Sequence, residues 1–377
     1  MSLSERACQD GPVHLSSRST PPAPVRCDCQ AIQATDAGSL EGLALRAESS
    51  HLQRKLWTAL AAHDLSFQTH GPAFVLAPET FTTLGSVLDS FSSTERHEVL
   101  ATPWRGGGPD PWQTARLEQW LHRLNTPWFA AACQQLDFEV QPIVALDGLQ
   151  VYGHEALVRA QWRGQRLGAP ALLRAAAAHG QDRAFDAHAR LGAITQVYPA
   201  LPRGQRLFIN FSPSVVYNPD VCLRSTFETC RQVGADFSRL VFEVTESEAF
   251  PDLTLLRRIL QRYRAEGAQV ALDDLGAGHT SLTYLAELRP DVVKLDRGLI
   301  QGLSADDPRL PLVQALITYA HDLDIRVVAE GIETATELAL VTALGSDYAQ
   351  GYYLGRPAAQ PVESGVHAPE QEQPAPA

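Results

Sequence analysis

The chain predicts an α/β fold in which a (β/α)₈ TIM-like barrel with one antiparallel strand follows a small α+β N-terminal domain. Three observations carry this expectation. Eight short apolar or β-branched runs, each ended by a break, recur after about residue 137. Most of them alternate with amphipathic stretches of helical period, the signature of strand–helix repeats closing into a barrel. The first two runs are joined by Asp147-Gly148, a hairpin signal too short for a helical crossover, so that pair is expected to be antiparallel.

In chain order, residues 1–26 are rich in Ser, Pro and charge without periodicity and are read as a disordered tail. Residues 27–104 read as the small α+β domain, expected to be regulatory. Gly42–Arg46 is extended there, and Ser50–His63 is a helix with Leu52, Leu56 and Leu60 on one face. Leu65–Gln68 and Ala73–Leu76 form a hairpin around His70-Gly71-Pro72, with a helix near Phe81–Phe91 and a strand at His97–Ala101. Residues 105–136 are read as a linker and connecting helix, because Arg105–Pro111 holds three glycines and two prolines and Trp112–Leu124 is helical in pattern.

The barrel is assigned to 137–360. Its strands are Glu139–Ala145, Gln150–Val158, Leu207–Phe211, Leu240–Thr245, Gln269–Asp273, Val292–Leu295, Arg326–Ala329 and Tyr348–Tyr353. The helices between them carry one apolar stripe each; in Leu253–Arg264, Leu255, Leu256, Ile259 and Leu260 face inward and Arg257, Arg258 and Arg262 face water. Residues 361–377 are a second disordered tail.

Composition narrows the function. With 31 basic and 43 acidic residues the formal charge is −12, which repels a phosphate backbone and argues against a nucleic-acid polymer as partner. No apolar run reaches the ~18–20 residues of a membrane helix, and the N-terminus lacks a signal-peptide core, so a cytoplasmic protein without membrane contact is expected. The six cysteines are too sparse for a disulfide framework. Cys27 and Cys29, with Cys8 and His14 nearby, offer either a small metal or redox site or ordinary thiols, and their spacing, lacking the two-residue gap of a zinc knuckle, favours ordinary thiols.

In such a barrel the C-terminal strand ends converge on one mouth. They deliver Glu155, Asn210, Glu243 with Glu246 behind it, Asp273-Asp274, Lys294, Glu330 and Gln350. Five carboxylates at one mouth repel each other unless cations neutralise them. Oxygen donors without His or Cys select Mg²⁺ or Mn²⁺, and adjacent aspartates suit two ions. Singly, each residue has an ordinary reading: a solvated Glu, an Asp helix cap, an Asp296-Arg297 ion pair, and Tyr352 and Tyr353 as packing groups. Their joint placement is what points to chemistry.

These residues resemble the EAL-domain family of cyclic di-GMP phosphodiesterases. Glu155-Ala156-Leu157-Val158-Arg159 stands with Gln141-Pro142-Ile143, Asn210-Phe211-Ser212-Pro213, Glu243-Val244-Thr245-Glu246 and Asp273-Asp274-Leu275-Gly276. Lys294-Leu295-Asp296-Arg297, Glu330-Gly331-Ile332-Glu333 and Gln350-Gly351-Tyr352 complete the set in family order. The resemblance implies that Glu155, Asn210, Glu243, Asp273, Asp274 and Glu330 hold two Mg²⁺ or Mn²⁺ ions. It implies catalytic roles for Lys294, Glu155, Gln350 and Glu246, and substrate contacts from Gln141, Leu157, Arg159 and Asp296, with Arg159 facing a phosphate. Cations nearby would lower the Lys294 ammonium, which suits either proton handling or a purely electrostatic role. The implied activity is hydrolysis of cyclic di-GMP to linear pGpG in a homodimer. The competing reading is a catalytically silent cyclic di-GMP receptor. The loop after the Asp pair departs from the family pattern at Leu275, Ala277 and His279. No cyclase signature occurs.

Overall fold

The computed structural model describes residues 31–33, 40–245, 252–276 and 282–363. The N-terminal unit is a six-stranded sheet in the order β2-β3-β1-β4-β5, with β6 also pairing β4. Its elements are β1 (Gly42–Ala47), α1 (Ser50–Ala62), β2 (Phe67–His70), β3 (Ala73–Leu76), α2 (Leu84–Asp89), α3 (Ser93–Arg96), β4 (Val99–Arg105), β5 (Gly108–Pro109), β6 (Ala115–Arg116) and α4 (Leu117–Asn125). Ser49 caps α1 by accepting the Leu52 N–H, and Leu52, Leu56 and Leu60 lie buried as their spacing requires. They join Leu43, Leu45, Val99 and Trp120 in one core.

Two expectations about this region are corrected. Arg105–Pro111 is no linker: Arg105 pairs with Gly108, and Gly106 and Gly107 turn the chain at φ 58° and 77°. A two-residue hairpin turn needs positive φ at both positions, which glycine adopts without strain. Both of their N–H groups donate to the Glu41 carboxylate at 3.0 Å. The helix expected from Trp112 begins at Leu117, after a 3₁₀ turn at Pro111–Gln113, and its Leu117 and Trp120 are buried in the N-terminal core. The apolar stripe therefore belongs to the N-terminal sheet and not to a connector.

After α5 (Phe129–Cys133) come β7 (Leu136–Ala145), β8 (Gln150–Trp162), β9 (Gln165–Gly168), α6 (Ala169–His179), α7 (Asp182–Gly192), β10 (Arg206–Phe211), α8 (Pro219–Cys222), α9 (Arg224–Gln232) and β11 (Leu240–Thr245). The chain continues through α10 (Leu253–Ala265), β12 (Gln269–Leu275), α11 (Leu282–Leu288), β13 (Val292–Leu295), α12 (Arg297–Ile300), α13 (Leu310–Asp322), β14 (Arg326–Ala329), α14 (Ala335–Ala343) and β15 (Tyr348–Ala349). Strands β8, β10, β11, β12, β13, β14, β15 and β7 close a ring, and β7 is antiparallel to both of its neighbours. The expected barrel with one reversed strand is present.

Two strands differ from expectation. β8 outruns the ring and folds back as β9 through Arg163 and Gly164, both at positive φ. β15 stops at Ala349, because Gly351 packs on the backbone of Ile332, whose oxygen would lie 2.1 Å from a Cβ at Gly351.

The N-terminal unit touches the barrel along α4 and α6. Gln119 Nε2 donates to Ala177 O at 3.2 Å, and Arg123 Nε donates to Ala178 O. These contacts satisfy carbonyls at the C-terminal end of α6, which a helix leaves without internal partners. Phe129 stacks on His179 and is buried with Leu172 and Phe185, so the apolar stretch beginning at Trp128 packs on the barrel.

Candidate active site

Parallel register sets the mouth. β8 faces β7 with Glu155 opposite Gln141, β10 places Asn210 beside Glu243, and β11 places Thr245 beside Asp273. Lys294 is delivered by β13, and Glu330 and Gln350 stand just past the ends of β14 and β15. Neighbouring strand residues ordinarily point to opposite faces. Asp274 adopts φ 59° where the β12–β13 register shifts between Leu272 and Leu275. This irregularity brings two consecutive carboxylates to one place. Asp273, Asp274 and Glu330 each offer an oxygen, all within 4.8 Å of one another.

Lys294 lies at the centre and is 1% exposed. Its Nζ is 2.7 Å from Glu330 Oε1, 3.1 Å from Glu243 Oε1 and Asp273 Oδ1, and 3.4 Å from Glu155 Oε2. Burial opposes the ammonium, but Asp273, Glu155, Glu243 and Glu330 outweigh it and push its pKa well above the usual value. The expected lowering of this group is therefore not what the protein's own side chains impose: four carboxylates keep Lys294 charged.

Glu155 is the best satisfied of the acids. Its Oε1 accepts from Asn210 Nδ2 at 2.7 Å and its Oε2 accepts from Gln350 Nε2 at 2.8 Å. Burial would raise it, but Lys294 and these amides hold it below the usual carboxylate range. The others are pushed up, first by burial and then by one another: Glu243 strongly, Asp273 upward, Asp274 to about 6 and Glu330 to about 8. Both oxygens of Glu243 and Oδ1 of Asp273 are buried without a hydrogen-bond donor, since Lys294 approaches outside hydrogen-bond alignment. Buried acceptors left in this state are costly unless a further cation engages them. An all-oxygen donor set with orphaned carboxylate oxygens fits a hard divalent ion.

The remaining candidates divide. Gln141 joins the mouth, its Nε2 donating to Gly355 O and its Oε1 lying 3.4 Å from Gln350 Nε2. Leu157 is half-buried and pairs in register with Glu139. Arg159 donates to Glu139 Oε2 at 2.8 Å and to Val158 O at 3.0 Å, so an ion pair on the β7–β8 hairpin engages it. Asp296 caps α12 by accepting the Gly298 N–H at 2.8 Å, and it lies close enough to Asp274 to raise that group. Glu246 lies outside the described residues, as do Ala277, His279, Cys8, His14, Cys27 and Cys29.

A cavity of about 190 Å³ opens beside Glu155, Glu330 and Gln350. Arg297, Glu333 and Tyr352 line it as well; the sequence placed them in the motif blocks but assigned none of them to the site. Tyr352 is 51% exposed, which corrects its reading as a packing group; Tyr353 does pack against the core. The signal for all three is adjacency, since each follows a mouth residue, Lys294, Glu330 or Gln350, by two or three positions.

A strand–helix barrel with a lysine caged by carboxylates at its C-terminal mouth defines a (β/α) barrel with an acidic mouth whose Asp273, Asp274 and Glu330 oxygens lie close enough together to hold a metal ion. The family model described as EAL domain matches residues 129–357, more than half of the chain, and the chain belongs to that family. The cyclic di-GMP phosphodiesterase NbdA of Pseudomonas aeruginosa is 31% identical over 229 residues, covering 59% of this chain and 29% of that protein. The bifunctional diguanylate cyclase/cyclic di-GMP phosphodiesterase MucR of the same organism is 39% identical over 120 residues, 32% of this chain and 18% of that protein. This chain thus spans less than a third of the length of these two relatives. Among solved structures, a standalone versatile EAL protein from Vibrio cholerae O395 in its c-di-GMP bound form aligns with a TM-score of 0.55 at 30% identity, over 63% of this chain and 98% of that one. No described helix is long and apolar enough to cross a membrane.

Proposed function

We propose that this chain hydrolyses cyclic di-GMP to linear pGpG with the help of two Mg²⁺ or Mn²⁺ ions. The observation that carries the proposal is the cage of Glu155, Glu243, Asp273 and Glu330 around Lys294, three acids on strands and one just past the end of a fourth, with one cation among them. The family membership and the cyclic di-GMP named with its relatives support the substrate class.

Glu155, Asn210, Glu243, Asp273, Asp274 and Glu330 would hold the ions. Bound there, divalent cations lower the pKa of an attacking water and neutralise phosphoryl charge. The chain's own groups do the rest. Asn210 and Gln350 fix the Glu155 carboxylate between them. Lys294, kept cationic, orients water by donating hydrogen bonds and stabilises charge developing on the phosphoryl oxygens. Gln350 also reaches toward Gln141, which supports the assignment of Gln141 as a substrate contact. Glu246 is assigned the steadying of the loop after Asp274, and Gln141, Leu157, Arg159 and Asp296 the grip on substrate. In the reaction the water oxygen bonds to phosphorus, the 3′-oxygen leaves and takes a proton, and the ring opens. The N-terminal unit is proposed as a regulatory module and the working form as a homodimer.

Hydrolysis in ¹⁸O-water tests the reading. Purified protein with cyclic di-GMP and Mn²⁺ or Mg²⁺ should give pGpG carrying one ¹⁸O on its new 5′-phosphate, and chelator should stop it. Binding of cyclic di-GMP without any product would establish the silent receptor instead.

A further inference from the structure

We propose that Arg297 holds the phosphodiester of the substrate that is not cut, which makes it a specificity-determining residue of the mouth. The inference rests on the reading of the site as a cyclic di-GMP hydrolase. The cavity beside the mouth is walled by three carboxylates, Glu155, Glu330 and Glu333, and Arg297 is the one cation among the described residues lining it. Lys294 is buried behind this wall and already shared by four acids. Arg159, the residue expected to face a phosphate, is not among the lining residues and is engaged by Glu139. A cyclic dinucleotide carries two phosphodiesters. The one being cut is served by the acid cluster and its ions. The second enters a cavity whose acidic walls repel it, so binding needs a cation there.

The local structure fixes where that cation stands. Gly331, at φ 73°, lies so close that a Cβ there would sit 2.5 Å from Arg297 Cβ, so the loop carrying Glu330 is seated directly on Arg297. Asp296 caps the turn through Gly298 N–H, and Arg309 donates to Gly298 O at 2.8 Å. The backbone is thus held from both sides, whereas among the described residues the guanidinium makes one long hydrogen bond, 3.4 Å to Gln301 Oε1. An exposed guanidinium with donors to spare binds a phosphodiester through paired charge-assisted hydrogen bonds.

The full chain with saturating Mn²⁺ would be assayed on cyclic di-GMP and on bis(p-nitrophenyl) phosphate, which has a single phosphodiester. Arg297→Ala should raise KM for cyclic di-GMP about tenfold or more, change kcat less than about threefold, and leave kcat/KM for the small substrate unchanged. Arg297→Lys should recover part of the affinity. An unchanged KM, or an equal fall on both substrates together with a lowered Tm, would overturn the proposal. Calorimetry with Ca²⁺ in place of Mn²⁺ separates the two readings. If the wild type binds cyclic di-GMP without cutting it, the hydrolase reading fails alone, and the affinity of Arg297→Ala still decides this one. If the wild type does not bind, both fail.

Discussion

Lys294 Nζ stands 2.7 Å from Glu330 Oε1, and the two residues arrive from adjacent parallel strands with Leu295 of β13 paired to Ala329 of β14. That contact is the shortest of four, and it ties the only buried lysine of the described barrel to the acid whose carboxyl is pushed up to about 8. The mouth is therefore a strained balance: one ammonium offsets part of the charge of several acids that burial has stripped of water.

Removing one acid relieves that balance. Asp273→Ala and Glu155→Ala should each lower cyclic di-GMP hydrolysis about 10³-fold or more while the metal-free Tm stays level or rises. Addition of Mn²⁺ should raise the Tm of the wild type by simple linkage and that of either variant much less. A variant that keeps wild-type turnover would remove its residue from the site.

Removing the lysine should do the opposite. Lys294→Ala leaves four acids without their shared cation, and the metal-free protein should lose about 3–5 kcal/mol in denaturant unfolding. Saturating Mn²⁺ should restore much of that loss, because the ions supply the missing positive charge. Its kcat should fall far more than its affinity for cyclic di-GMP; an equal loss in both would deny Lys294 a role in the transition state.

At the opposite end of the barrel Asp347 accepts from the Val327 N–H and His321 Nε2 at 2.9 Å and from Arg326 Nη1 at 2.6 Å. Burial would raise it, but these donors hold it below the usual carboxylate range. A depressed native value means that its contribution is complete above the unfolded pKa of about 4 and fades as pH falls through the lower native value. Asp347→Asn should cost about 1–3 kcal/mol at pH 7, and the gap should close toward pH 2–3. A gap that widens on acidification would contradict the assignment.

The N-terminal unit and the barrel have separate cores, whereas α5 packs with the barrel. A fragment starting at 126 should fold, bind Mn²⁺ and hydrolyse cyclic di-GMP. One starting at 135 lacks Phe129, Ala132 and Cys133 and should aggregate or melt at a lower temperature. A well-folded 126 fragment that binds metal without turnover would show that the N-terminal unit completes the active site.

Much of this was legible in residue order because the barrel writes a strand, a break and a helix over and over. Leu240–Thr245, Val292–Leu295 and Arg326–Ala329 are strands with the expected bounds, and the Asp147-Gly148 turn marked the reversed strand. What was not legible depends on backbone angles and long-range partners. The convergence of Asp273 and Asp274 needs the positive φ at Asp274, which strand periodicity cannot reveal. The pairing of Arg159 with Glu139 comes from hairpin register, and Arg297 reaches the mouth only because Gly331 leaves it room. The Gly106-Gly107 turn was misread as a linker because glycine serves both, and only the pairing of Arg105 with Gly108 separates them.

The most direct test compares the wild type with Asp273→Ala for conversion of cyclic di-GMP over a Mn²⁺ titration, with products separated by chromatography. Wild-type protein should form pGpG with a saturable dependence on Mn²⁺, and Asp273→Ala, folded by circular dichroism, should form none at any concentration. Equal turnover by the two proteins, or wild-type protein that leaves cyclic di-GMP intact at saturating Mn²⁺, would contradict the proposed function.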